Sequence, residues 1–114
     1  VKLQKRAARV GFDWPDPQPV LAKLHEELEE VRAEFASGDQ ARLQDEIGDL
    51  LFVCANLARH AGVDVGAALR GANAKFERRF RRMEALAAAD GTELSALDLT
   101  QQDGYWNRTK AEGL

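Results

Sequence analysis

All three prolines, Pro15, Pro17 and Pro19, fall within five residues near the start, and none occurs from Val20 to Leu114. Proline is the strongest helix breaker, because it lacks an amide donor and its ring clashes with the preceding turn. The proline-free stretch is rich in Ala, Leu, Glu and Arg, which are strong helix formers. It has no alternating polar–apolar run long enough for a strand. An all-α fold is therefore expected.

Five helical segments are predicted. The first runs from about Lys2 to Val10 and stops at Gly11. GFDWPDPQP then forms a loop, with Phe12 and Trp14 expected to pack rather than face solvent. The second spans about Pro19 to Ala36, with Val20, Leu24, Leu28, Val31 and Phe35 as one apolar stripe. Gly38 suits the left-handed position after a helix, and Asp39 suits an N-cap. The third spans about Gln40 to Ala61, with Leu43, Ile47, Leu50, Cys54, Leu57 and Ala61 as its stripe. Gly62 ends it, Asp64 caps a fourth from about Val65 to Ala89, and a weaker helix lies near Leu97 to Lys110.

So short a joint makes the second and third helices antiparallel neighbours. A chain of 114 residues suits a single domain, but one hairpin cannot bury a full core. Dimerisation, pairing two hairpins into a four-helix bundle, would complete the interior. The net charge of −3 gives no reason to expect nucleic acid or an anionic membrane as partner. A single cysteine, Cys54, cannot form an internal disulfide, and no apolar run approaches a membrane span. These features suit a cytoplasmic domain. Val1 opens the chain and Met83 is its sole methionine, so either leading residues are lacking or the domain belongs to a longer polypeptide.

Acidic residues concentrate on two helices: Glu26, Glu27, Glu29, Glu30 and Glu34 on the second, Asp45, Glu46 and Asp49 on the third. Solvated surface explains Glu26 and Glu29 well. It explains Glu27 and Glu46 badly, because each lies about 40° from an apolar stripe residue, Val31 and Leu50 respectively. Glu30 and Asp49 follow at i+3 on the same sides. Antiparallel packing would converge Glu27, Glu30, Glu46 and Asp49 at one edge, where mutual repulsion calls for a counterion. A hard cation such as Mg²⁺ suits carboxylate oxygens; a salt-bridged surface is the competing reading. A di-iron bundle needs Glu-x-x-His pairs, yet Ala22 and Leu57 stand three residues before His25 and His60. Both histidines are read as polar surface groups, and zinc lacks its ligand spacing.

The fourth helix carries KFERRFRR, residues 75–82. Phe76 and Phe80 are expected on its buried side, with Lys75 and Arg79 as an adjacent i,i+4 pair. These cations form either a solvated basic face or a phosphate clamp, and the residues alone leave both open. DNA binding is disfavoured by the acidic total charge. Trp106 either fastens the tail to the body or stacks on a base.

The ordered blocks EELEE (26–30), DEIGDLLF (45–52) and ANAKFERRF (72–80) resemble the MazG nucleoside triphosphate pyrophosphohydrolase family. Its hallmark, Glu-Glu-x-x-Glu followed on the next helix by Glu-x-x-Asp, is met by Glu26, Glu27, Glu30, Glu46 and Asp49. The opening KLQKRAARVGFDWPD is similar to the start of the catalytic, C-terminal half of two-domain MazG proteins. The resemblance implies an all-α pyrophosphohydrolase fold, assembled as a homodimer or larger homo-oligomer. It implies Mg²⁺-dependent hydrolysis of (deoxy)nucleoside triphosphates to monophosphate and pyrophosphate, with Mn²⁺ able to replace Mg²⁺. Glu27, Glu30, Glu46 and Asp49 then occupy catalytic metal-ligand positions. Lys23, Glu26, Lys75 and Arg79 contact substrate, Lys75 and Arg79 at its phosphates, and Trp106 takes the base-contacting position. The alternatives are a specialised dUTP, dCTP or phosphoribosyl-ATP pyrophosphohydrolase, or a non-catalytic helical dimerisation module. The KFERRF block and the tryptophan tail favour the broad MazG type.

Overall fold

The computed structural model describes residues 1–114 and is entirely helical. Its helices are α1 (Lys2–Arg9), α2 (Pro17–Ser37), α3 (Gln40–His60), α4 (Val65–Ala89) and α5 (Leu99–Ala111), with a short 3₁₀ turn at Leu94–Ala96. Two compact units are distinguished, Val1–Ala67 and Ala68–Leu114. None of the helices is long and apolar enough to cross a membrane.

Local chemistry sets the helix ends. Helix α2 begins two residues earlier than the expected Pro19, because the Asp16 side chain accepts from the Gln18 amide at 2.9 Å. Pro17 then occupies the first helical position, where its missing N–H costs nothing. Gly38 ends α2 at φ 72°, a left-handed geometry that a side chain would destabilise by about 1 kcal/mol. Asp39 at once caps α3 by accepting from Arg42 N at 3.1 Å. With two residues between them, α2 and α3 fold back into the predicted antiparallel hairpin and pack along each other. Asp64 opens α4 by accepting from Ala67 N at 2.9 Å. Asp98 and Gln101 form a reciprocal capping box that starts α5 at Leu99.

In the first unit, Val20 and Val53 are buried together with the polar side chains Gln4, Glu27 and Asn56. The expected apolar stripes are covered only in part: Val20 is buried and Leu24, Val31, Leu43, Leu50 and Leu57 are half-buried. Leu28, Phe35 and Ile47 stay exposed, as does Cys54, while α3 turns Val53 and Asn56 inward. Helix α1 is fastened to α3 by Gln4, whose Nε2 donates to the Phe52 carbonyl at 2.7 Å.

The loop before α2 is pinned through Asp13. One oxygen, Oδ1, accepts from Arg59 and lies 3.0 Å from His60 Nε2. His60 is therefore not the surface group expected from its helix position; its side chain is only 9% exposed. The aromatics of the loop depart from expectation in the other direction. Phe12 is 82% exposed and Trp14 38%, because the loop is held by Asp13 rather than by its rings.

In the second unit, Met83, Leu86 and Ala87 of α4 are buried with Thr109 of α5. Phe76 and Phe80, expected on the buried side, stack on one another at 6.1 Å and remain 58% and 43% exposed. The inward face of α4 lies nearer its C-terminus, where α5 returns. Asp90 accepts from the Tyr105 hydroxyl at 2.8 Å and from Arg108 at 2.9 Å. Arg82 donates to Glu112 at 2.7 Å.

Arg59 and His60 hold the Asp13 carboxyl below the ordinary carboxylate range, the Arg59 hydrogen bond being the largest cause. A depressed folded-state pKa gives stability that is present above the unfolded pKa, about 4, and lost as pH falls through the folded value. Asp13→Asn is therefore expected to lower the melting temperature at pH 7. The gap from the parent chain should close on acidification below about pH 4, as followed by thermal unfolding monitored by circular dichroism across pH.

Candidate metal centre

Helices α2 and α3 each present carboxylates to the other. One oxygen from each of Glu27, Glu46 and Asp49 can be chosen so that all three lie within 4.8 Å of one another. Glu27 is only 4% exposed, Glu46 is half-buried and Asp49 exposed. The cluster thus runs from the hairpin interior to solvent, which leaves a side for a ligand to approach.

On two of these residues one carboxylate oxygen, Glu27 Oε2 and Glu46 Oε2, is buried and has no hydrogen-bond partner. A buried, unpartnered carboxylate oxygen carries a desolvation cost. Nearby like charges add to it.

Glu30, the fourth predicted ligand, stands beside the trio rather than within it. Its carboxyl is raised above the ordinary range, chiefly by a hydrogen bond with Glu46, partly opposed by one with Glu27. Two carboxyls side by side repel when both are ionised, so a shared proton or a nearby cation favours the arrangement.

Lys23 supplies part of the missing charge. Its Nζ lies 3.1 Å from Glu27 and 3.3 Å from Glu26. These contacts raise its pKa, the bond to Glu27 most of all. Glu26 is otherwise exposed, as surface position implied. One ammonium pairs with a single Glu27 oxygen and leaves both orphaned oxygens unmet. The donor set is all carboxylate, which fits a hard divalent ion such as Mg²⁺ better than zinc or copper.

The other predicted contacts belong to the second unit. Lys75 is exposed on α4. The Arg79 guanidinium sits 5.1 Å from the Trp106 ring centroid, and its Nε donates to the Leu114 carbonyl. Trp106 also packs on Phe76 at 5.6 Å. These contacts fasten α5 to α4.

Several polar residues escaped sequence reasoning. Gln4 and Asn56 are buried amides lining a cavity bounded by α1, the Asp13 loop and α3. Arg59 is tied to Asn56 Oδ1 at 2.9–3.0 Å as well as to Asp13. The one available signal was spacing, since Asn56 follows Asp49 by two helical turns and Arg59 follows Asn56 by one.

Comparison with known proteins gives the family of the chain. The profile of the MazG nucleotide pyrophosphohydrolase domain matches residues 16–83, which include α2 and α3. Over 113 residues the chain is 49% identical to the nucleoside triphosphate pyrophosphohydrolase of Escherichia coli K12, covering 97% of this chain and 43% of that protein. Over 109 residues it is 43% identical to the nucleoside triphosphate pyrophosphohydrolase/pyrophosphatase MazG of Thermotoga maritima, covering 96% of this chain and 42% of that one. The chain thus spans less than half the length of these relatives. By its paired carboxylate helices and by these matches, the chain belongs to the MazG nucleotide pyrophosphohydrolase domain family.

Proposed function

We propose that these residues form a single catalytic domain, part of a longer protein, that hydrolyses (deoxy)nucleoside triphosphates at the α–β linkage. The products would be a nucleoside monophosphate and pyrophosphate. The observation that carries this reading is the Glu27–Glu46–Asp49 cluster with its two buried, unpartnered oxygens. It stands in a chain similar to proteins named for that activity.

Glu27, Glu46 and Asp49, with Glu30 beside them, would hold Mg²⁺, or Mn²⁺ in its place. When bound, such an ion offsets charge on phosphate oxygens and acidifies water. The protein's own groups do the rest. The α2–α3 hairpin fixes the carboxylates before substrate arrives, so little reorganisation is needed during reaction. Glu30, whose carboxyl is held above the usual range by Glu46, is suited to accept and pass on a proton while orienting the attacking water. Lys23 places a cation at the cluster's edge and would turn to substrate phosphate once Glu27 binds metal. Lys75 and Arg79 are assigned as phosphate-binding residues on the family resemblance, which suits the bidentate capacity of Arg. A cytoplasmic setting accords with the single cysteine.

The exposed apolar residues Leu28, Phe35, Ile47 and Leu51 lie on the two hairpin helices. Uncovered apolar surface of this kind marks an association face, and we assign it to a second copy completing a four-helix bundle. Sedimentation should give about 25 kDa, twice the 12.6 kDa chain. A species of single-chain mass at micromolar concentration would reject the assignment.

Incubating the purified chain with each common NTP and dNTP, with and without Mg²⁺, and separating the products tests the reaction. Monophosphate plus pyrophosphate, formed only with metal, is expected. Diphosphate plus orthophosphate would place cleavage at the wrong bond. Glu46→Gln should cut turnover by a factor on the order of 10² or more while the chain stays folded. A non-catalytic dimerisation module would show no metal-dependent turnover and no effect of that substitution.

A further inference from the structure

Helix α1 holds Lys2, Lys5, Arg6 and Arg9 and no acid. Their spacing of i, i+3, i+4 and i+7 puts them on one face, within about 100° of arc and about 10 Å of helix. All four are exposed, and together they line one concavity on the helix surface. The other Lys and Arg residues of the first unit, Lys23, Arg32, Arg42 and Arg59, each face a carboxylate. The four on α1 make no side-chain hydrogen bond or ion pair. Even Asp13, the first acid in the sequence, is taken up by Arg59 and His60.

Beside this stripe, α1 contributes Leu3 and Ala7 to a cleft of about 480 Å³, whose other walls include Phe12, Trp14 and Phe52. The rings are open to solvent: Phe12 is 82% exposed, Phe52 54% and Trp14 38%. None of them stacks on another ring, since the ring–ring contacts all lie in the second unit.

Cations set along a line suit an anion whose charges repeat. A lone phosphate is held better by donors converging on one point. A phosphodiester backbone and an acidic peptide both qualify on charge, and the rings decide between them. Every nucleobase has a flat face that stacks on an aromatic side chain. A duplex keeps those faces stacked inside, so the strand must be single. We propose that α1 and the loop after it bind single-stranded nucleic acid. Lys2, Lys5, Arg6 and Arg9 follow its phosphates, and Phe12 and Trp14 stack on its bases. The net charge of −3 conceals this surface, because it sums α1 with the acidic α2 and α3. The surface shares no residue with the carboxylate cluster, so it stands or falls independently of the hydrolase reading.

Anisotropy of a fluorescein-labelled oligouridylate of about 12 nucleotides, titrated with the chain in EDTA, tests the proposal without metal. Saturable binding is expected, with log affinity falling against log salt at a slope of about −3, roughly 0.7 for each of four phosphates. Lys5→Gln combined with Arg6→Gln should weaken binding by about tenfold or more and flatten the slope by about 1.4. Phe12→Ala, at a largely exposed position, should weaken binding by about tenfold and leave the slope unchanged. In ¹⁵N-labelled chain the Trp14 indole signal should shift on titration while that of Trp106 stays still. Absence of binding at low salt would overturn the proposal, as would tighter binding of a duplex of the same length. Equal affinity for polyglutamate, with Phe12→Ala having no effect, would also reject it and mark α1 as a seat for an acidic protein segment.

Discussion

Three carboxylates within 4.8 Å, one of them almost wholly buried, are the constraint around which the hairpin is arranged. Like charges so close oppose ionisation and oppose folding. The chain answers only in part, with Lys23 on one oxygen of Glu27 and the Glu30 carboxyl held above its ordinary range beside Glu46. Two oxygens remain unmet. A scaffold alone gains nothing from that arrangement, since replacing the group with apolar residues would relieve it. The proposed divalent cation would turn the same repulsion into binding energy, so that the hairpin would trade stability for affinity.

Much of this could be read from residue order. The confinement of proline to residues 15–19, the Gly38–Asp39 joint and the acids at positions 64 and 98 each act within a few residues, so they mark helix ends without tertiary information. The carboxylates were legible for a similar reason. Helical spacing puts Glu27 beside the stripe of α2 and Glu46 beside that of α3, and a two-residue joint leaves little choice about which faces meet.

What was not legible depends on partners distant in sequence. Phe12 and Trp14 read as buried because aromatic rings usually are, yet the loop is anchored by Asp13 to residues 46 and 47 positions later. His60 misled in the opposite sense for the same cause. Phe76 and Phe80 were assigned to the inner face of α4 from their i,i+4 spacing, whereas the buried residues Met83, Leu86 and Ala87 lie farther along. Gln4 gave no signal and Asn56 only its helical spacing, because the orientation of an amide is set by the single partner it meets in the fold, the Phe52 carbonyl for one and Arg59 for the other.

The central claim is that the carboxylates between α2 and α3 hold a divalent metal. Anomalous scattering from crystals grown with Mn²⁺ locates such an ion directly. A peak is expected within about 2.0–2.6 Å of oxygens from Glu27, Glu46 and Asp49, with the Lys23 ammonium displaced from Glu27. Mn²⁺-treated crystals with no peak between the helices, and with the Lys23–Glu27 ion pair intact, would contradict the account.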